Sequence, residues 1–521
     1  MMTKNLSLTG SHSNTAKNLS VLSIVGMPGL GKTALAQHVF NDPRMSEAKF
    51  DIKVWVCVSD EFDVFNISRA ILEGVTRSTD DSRDTEMVHR RLKEKLMGKK
   101  FLLVLDDVLN KNQSKWEEVQ KVLVFGAQGS RILVTTRNKD VASTMRSEEY
   151  FPKLLQEDDC WKLFAKYAFR DDDTQPNPEC RDIAMEIVKK CKGLPLALKT
   201  MGSLLYNKSS VSEWETVFRS EIWELPKVRC DIVPTLALSY IHLPSHLKAC
   251  FSYFALFPKD YEFKKEHLMH LWMTKNLCCR QHSRTPEEVC QQYFNDLLSR
   301  SFIQQSGQEE EVFVMHDLLN DLAKYVAGDI YLRCEVGQIE KIQKETRHFS
   351  VELEYDDQYF DGFGTLCNTE RLRTFMPISR SRFSYHWHCG INMLIHELFS
   401  KFKFIRILSL SGYSDIKEIP DSIDNLKHLR SLDLSHTAIE KLTGKICLLS
   451  HLQILKLNFC KNLELSSNLH LLTNLCRLEF ISTTLAKVPP HLGKLNNLKV
   501  MMDSFNVDHG RRVGCSLKEA F

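Results

Sequence analysis

The sequence predicts a multidomain protein that starts with an α/β domain on a buried parallel sheet, continues through a helical middle and ends in an α/β repeat solenoid. Three observations predict this. From Leu19 to about Pro152, short apolar runs alternate with helical segments, the pattern of a doubly wound sheet. A glycine-rich loop, G-M-P-G-L-G-K-T from Gly26 to Thr33, sits between the first apolar run and the first helical segment. Near the other end, Leu408, Leu432, Leu455 and Leu478 recur at spacings of 24, 23 and 23 inside an L-x-L core, the interval of leucine-rich repeats.

Composition sets outer limits. The 521 residues carry 69 basic and 66 acidic side chains, a net charge of +3, so no global field favours nucleic acid or an anionic membrane. Sixteen cysteines are scattered without a C-x-x-C pair, which predicts reduced thiols and a cytoplasmic protein. Residues 1–18 read as a flexible N-terminal segment without a signal-peptide core, and no apolar run is long enough to span a membrane.

Leu19–Val25 is the first strand, and Ala34–Phe40 opens the first helix. In a strand, glycine loop, helix context the G-x-x-x-x-G-K-[ST] spacing is a P-loop: backbone N–H groups of Gly26, Met27, Gly29, Leu30, Gly31, Lys32, Thr33 and Ala34 can curl around phosphate oxygens at a helix N-terminus. Pro28 has no N–H and cannot donate there. The Lys32 ammonium would reach the β/γ-phosphates, and the Thr33 hydroxyl would face Mg²⁺. Lys53–Ser59 is a second strand, followed by helical pieces over Ile67–Thr76 and Thr85–Leu96. Phe101–Val108 is nearly all apolar before Asp106 and Asp107, as in a strand buried on both faces with its acids at the ligand-binding edge. Asp106 is then the Mg²⁺-side carboxylate, and Asp107 can orient or deprotonate an attacking water. A further strand, Arg131–Arg137, brings Arg137 to the same edge, where it can sense a γ-phosphate.

Seven motifs in order make the reading specific. They are GMPGLGKTALA (from Gly26), VWVCVSDEFD (from Val54), FLLVLDDV (from Phe101), GSRILVTTRN (from Gly129), CKGLPLALK (from Cys191), CFSYFALFPKDY (from Cys250) and MHDLLNDLA (from Met315). This set resembles the NB-ARC module of plant intracellular disease-resistance receptors, closer to the coiled-coil branch than to the TIR branch. The resemblance implies a P-loop domain over 19–155, a helical subdomain over 156–228 and a winged-helix subdomain over 229–327. It implies ADP/ATP and Mg²⁺ as ligands, Pro195 against the adenine, and His316 on the β-phosphate of ADP; by its own sequence Asp317, followed by Leu318-Leu319, fits a helix N-cap. Leu109 and Thr274–Cys278 depart from the family pattern at packing positions. About 18 residues precede the first strand, so the family's coiled-coil segment is expected to be missing.

Residues 328–403 show no clean period and read as a connector or degenerate repeat. Residues 404–503 form the repeats, whose leucines are core. Recognition of a partner would come from variable positions between and after the leucines, such as Arg406, Ser409, Arg430, Asp433, Lys456, Asn458, Arg477 and Glu479, although charges at such positions more often form just a solvated face. Residues 504–521 read as a polar tail. Taken together, the resemblance implies an ADP/ATP switch of innate immunity that senses a pathogen effector or a guarded host protein through its repeats. It would form a homo-oligomer on activation, bind no nucleic acid, and act at most as a slow ATPase. The alternative is a truncated member that binds nucleotide but serves only as a partner or decoy.

Overall fold

The computed structural model describes residues 19–503 together with 506–507; the stretches outside the description include 170–177, 225–233, 279–283, 307–310, 336–341, 353–365 and 379–394. The segment expected at 1–18 and most of the tail expected at 504–521 therefore lie outside the described residues. The chain divides into two compact units, 1–243 with 299–302, and 244–298 with 303–521.

The first unit is built on five parallel strands, β1 (Leu19–Val25), β2 (Ile52–Cys57), β3 (Phe101–Asp106), β4 (Ser130–Thr136) and β5 (Glu148–Tyr150), in the order β2-β3-β4-β1-β5. Every residue of β3 is buried, as its unbroken apolar run requires. Helices Val64–Thr76 and Thr85–Leu96 cover one face, each started by an aspartate, Asp63 or Asp84, whose side chain accepts a backbone N–H of the first turn. The short β5 has no counterpart in the sequence reading, because three residues between helical and irregular stretches carry no period. The same unit holds a helical cluster in which helix Pro195–Tyr206 buries Leu198, Met201 and Leu205 with Phe164 and Trp214. Helix Pro234–Ile241 joins this cluster through Leu238, and the division between the two units falls after Leu243.

In the second unit, β6 (Phe263–Lys264), β7 (Gln304–Gln305) and β8 (Val312–Val314) make a small antiparallel sheet beside helices Ser245–Ser252, Lys265–Thr274, Pro286–Ser299 and Asp317–Ala327. Cys278 and Cys290 are both buried there with Cα atoms 5.5 Å apart, and they are joined as a disulfide. This corrects the expectation of reduced thiols for that pair. The pairing is set by burial in one small core, which no local cysteine spacing announces.

The solenoid sheet runs parallel from β9 (Tyr331–Glu335) through β10 (His348–Glu352), β11 (Thr374–Ile378), β12 (Ile407–Ser409), β13 (Ser431–Asp433) and β14 (Ile454–Lys456). Past the short β15 (Leu463–Glu464) it continues with β16 (Arg477–Phe480) and, past β17 (Thr484–Lys487), with β18 (Val500–Asp503). Leu408, Leu432, Leu455 and Leu478 stand in register and are fully buried. Three residues after the L-x-L cores of β13 and β14 a polar side chain turns inward: the Thr437 hydroxyl donates to the Leu434 carbonyl at 2.7 Å, and Cys460 Sγ reaches the same carbonyl at 3.4 Å. These bonds satisfy backbone groups that stacking removes from water. Strands β9, β10 and β11 lie in the segment read as connector or degenerate repeat, so the sheet begins well before the regular period does.

Candidate functional site

The glycine loop leaves the end of β1, where Gly26 N donates to Thr136 O at 3.1 Å, and enters helix Lys32–Asn41. Gly31 is the N-cap with φ +85°, a left-handed conformation that costs an L side chain about 1–2 kcal/mol. The helix has no side-chain cap and no acid in its first turn, so its positive N-terminal end is left to a ligand. Lys32 is 8% exposed, and its Nζ donates to the Met27 carbonyl at 3.3 Å, folding the ammonium across the loop.

Beside the loop, the β3 carboxylate of Asp106 is buried and accepts hydroxyl hydrogen bonds from Thr33, at 3.1 Å, and from Thr135. Thr135 also accepts from Asp107 N at 2.9 Å, so one β4 hydroxyl fixes both aspartates. Asp107 has φ +50°, which turns its side chain out of the strand line to meet Arg137 Nη2 at 3.5 Å. Thr33 and Asp106 together present hard oxygen donors, and among the described residues no cluster of three acidic or sulfur/nitrogen ligands could hold a metal alone. That set fits Mg²⁺, which is ordinarily held by one or two protein oxygens with the remaining positions filled by phosphate and water.

Helix Pro195–Tyr206 closes a third side. Leu196 N donates to Gly29 O at 3.3 Å, which sets the Pro195 end of the helix against the loop. The turn before it depends on Gly193, which has φ +72° and whose carbonyl accepts a hydrogen bond from Leu155 N at 3.2 Å; an added Cβ there would lie 3.0 Å from Leu155 O.

Among the expected site residues, the structure brings together Gly26, Met27, Gly29, Leu30, Gly31, Lys32, Thr33, Ala34, Asp106, Asp107, Arg137 and Pro195 in the first unit. His316 belongs to the second unit, where its Nδ1 accepts from Leu318 N at 3.2 Å and caps helix Asp317–Ala327. The cap is therefore His316, and Asp317 is the first helical residue instead of the expected cap, because the imidazole nitrogen reaches the second amide of the helix. Sequence reasoning passed over Thr135 and Gly193; both stand inside quoted motifs, but their bonds are tertiary.

The repeat positions expected to face a partner are largely taken within the second unit. Arg477 Nη2 pairs with Glu266 at 3.1 Å, its Nη1 lies 3.3 Å from His270 Nε2, and its Nε bonds Glu479. Arg430 donates to Thr274 O at 3.2 Å and to Asn276 Oδ1. Glu479 also accepts from Asn458 at 2.9 Å and lies 4.0 Å from Lys456. Burial lowers the pKa of both His267 and His270 to about 3, with Arg477, Lys456 and Lys264 adding to the effect and Glu479 and Glu287 opposing it. Among the described residues, no helix is long and apolar enough to cross a membrane.

Known families match along most of the chain. The NB-ARC domain model matches residues 8–174, the disease resistance protein winged helix domain model residues 256–323, and a leucine-rich repeat region model residues 380–513. RPP13-like protein 1 of Arabidopsis thaliana is 38% identical over 444 residues, 84% of this chain and 41% of that protein. Disease resistance protein RGA2 of Solanum bulbocastanum is 37% identical over 86% of this chain and 43% of its own length. Disease resistance RPP13-like protein 4 of A. thaliana is 31% identical over 96% of this chain and 58% of its own. The chain thus spans less than two thirds of each of these relatives. The NB-ARC match and the P-loop geometry together make this a nucleotide-binding chain.

Proposed function

Since the chain belongs to the NB-ARC leucine-rich-repeat family of plant disease-resistance proteins, we propose that its nucleotide site is an ADP/ATP switch of plant innate immunity. The observation that carries this reading is the meeting of three separate segments at one loop: Asp106 through Thr33, Arg137 through Asp107, and Pro195 through the Leu196 to Gly29 bond. A loop built for rapid turnover needs the first two. The third gives the bound nucleotide a lid-side wall and ties its occupancy to the helical cluster.

In this account the loop amides and Lys32 bind the phosphates, with the ammonium exchanging the Met27 carbonyl for phosphate oxygen. Thr33 and Asp106 would hold Mg²⁺, which neutralises phosphate charge when bound. Arg137 senses the γ-phosphate. Its contact with Asp107 is interrupted when that charge arrives, so the ADP and ATP forms differ at the end of β4. Asp107 accepts a water proton only when Arg137 has moved, which makes hydrolysis slow and suits a switch. Pro195 lies against the adenine, and His316 serves as the further β-phosphate contact of the ADP state. The repeats recognise a pathogen effector or a modified host protein.

The direct test is Lys32→Arg. A guanidinium cannot fold into the space of an 8% exposed ammonium, so the purified variant should carry no nucleotide where the wild type carries ADP. A variant still loaded with ADP would falsify the P-loop assignment.

A further inference from the structure

Four arginines stand at the same register of four neighbouring repeats. Arg347, Arg373, Arg406 and Arg430 each immediately precede a strand, β10, β11, β12 and β13 respectively. Their backbones form a ladder: Arg373 N donates to Arg347 O at 2.7 Å, Arg406 N to Arg373 O at 2.8 Å, and Arg430 N to Arg406 O at 2.8 Å. Neighbouring parallel strands lie about 4.8 Å apart, so the backbone positions of the four arginines span about 14 Å. The ladder continues through uncharged Gln453 and Cys476, which confines the positive run to these repeats.

A fifth cation faces them from the winged-helix side. Lys275 follows helix Lys265–Thr274, donates to the Tyr331 hydroxyl, and lies 4.4 Å and 5.0 Å from the ring centroids of Tyr331 and Tyr253. Burial, with Arg373 and Arg406 next in effect, pulls its pKa down to about 7. His348 is held well below its usual range by burial and then by Lys275, Arg373, Arg406 and Arg347. Among the described residues, none of the five cations pairs with a carboxylate. Arg430 is partly satisfied by Thr274 O and Asn276 Oδ1, and Arg347 by the carbonyls of Lys344 and Thr346. For the Arg373 and Arg406 side chains no described hydrogen-bond acceptor is present.

Like charges on adjacent strands destabilise a sheet. A chain with a net charge of only +3 has no general excess of cations to dispose of, so the cluster requires a specific reason. We propose that Arg347, Arg373, Arg406 and Arg430, with Lys275, form a binding site for a compact polyphosphate, meaning a small molecule or headgroup that carries several phosphates close together. Guanidinium forks match phosphate oxygens bidentately, and the 14 Å run of about four strands matches a compact ligand. The Lys275 ammonium, held over the Tyr253 and Tyr331 rings, adds a cation to the row, and a short cluster of this kind favours a compact ligand over an extended nucleic-acid backbone. The site lies wholly in the second unit and is independent of the nucleotide reading.

The test uses the full chain saturated with ADP, so that the P-loop cannot take the probe, and titrates inositol hexakisphosphate calorimetrically. Wild type should bind, and binding near pH 7 should take up protons as Lys275 regains its charge, read from the buffer dependence of the heat. Arg373→Gln with Arg406→Gln should weaken binding at least about 100-fold, at roughly tenfold per lost charged contact. The same pair changed to Lys should keep most of it. Without probe, the Gln variant should melt no lower than wild type, since it relieves repulsion. Sedimentation with phosphatidylcholine vesicles carrying phosphatidylinositol bisphosphate separates the sources: capture lost in the Gln variant assigns a headgroup, and binding in solution without capture assigns a free polyphosphate. No binding by wild type at millimolar probe, equal affinity in the Gln variant, a Gln variant that melts lower without probe, or displacement by a single-stranded oligonucleotide in preference to pyrophosphate would each overturn the proposal.

Discussion

Changing Thr135 to valine keeps the shape of the side chain and removes one hydroxyl. That hydroxyl donates to Asp106 and accepts from Asp107 N at 2.9 Å. A hydrogen bond to a charged group contributes about 1.5–3 kcal/mol, and a backbone N–H left without its partner adds about 1–3 kcal/mol. Asp107 is only partly buried, so water recovers part of the second loss, and the expected cost to the first unit is about 3 kcal/mol. The functional effect follows from the same bonds. Asp106 loses one of the two hydroxyls that orient it, and supporting bonds of this kind are worth about 10–100-fold in metal affinity. Denaturant unfolding and titration of a fluorescent ADP analogue, with and without Mg²⁺, read the two effects separately. The expected result is lower stability, an affinity in Mg²⁺ weakened by about tenfold or more, and an affinity in chelator changed little. Unchanged stability together with unchanged Mg²⁺ dependence would refute the assignment of Thr135 and Asp106.

Other perturbations test other links. The second unit should lose stability on acidification: His267 and His270 keep a depressed pKa of about 3 when folded and regain about 6.5 when unfolded. Below pH 6.5 the unfolded state therefore binds protons that the folded state does not, so stability falls as pH drops from about 6.5 toward 3 and is fully present above 6.5. Each ring costs at most about 1.4 kcal/mol per pH unit, and with both partly exposed a loss of about 2 kcal/mol between pH 7.5 and 5 is expected. A melting profile flat over that range, or one unchanged in His267→Asn with His270→Gln, would count against the half-buried pair. Gly193→Ala should cost about 2 kcal/mol, since the left-handed φ is strained for alanine and its Cβ would press on Leu155 O. The same variant should weaken nucleotide binding, because the Pro195 end of the helix loses its place beside Gly29; normal affinity would separate that helix from the site. Leu432→Ala should cost about 2–5 kcal/mol in the second unit, as expected for a fully buried leucine between two stacked repeats, and a much smaller loss would show a slack core.

Local patterns carried most of the fold into the sequence. The P-loop is eight consecutive residues, β3 is one apolar run, and the repeats announce themselves by period, so each is legible without tertiary knowledge. What escaped reading depends on chain segments meeting. Thr135 lies in a motif whose backbone is a plain strand, and only the folded sheet sets its hydroxyl between Asp106 and Asp107. Strands β9 to β11 escaped because Phe349, Phe375 and Leu408 are separated by unequal lengths of chain that show no regular period, although these residues pack into one core. Arg430 and Arg477 stand between the repeat leucines, where the period gives a variable position and nothing more. The period cannot tell that Thr274 meets Arg430 and that Glu266 and His270 meet Arg477. The Cys278–Cys290 pair likewise comes from shared burial and not from spacing.

The central claim is that the loop from Gly26 to Thr33 is a nucleotide latch supported by Asp106, Arg137 and Pro195. Its most direct test is to release and identify the nucleotide that co-purifies with the folded wild-type chain and with Lys32→Arg. Stoichiometric ADP is expected on the wild type and none on the variant. A wild-type chain that folds without nucleotide and fails to take up ADP would contradict it.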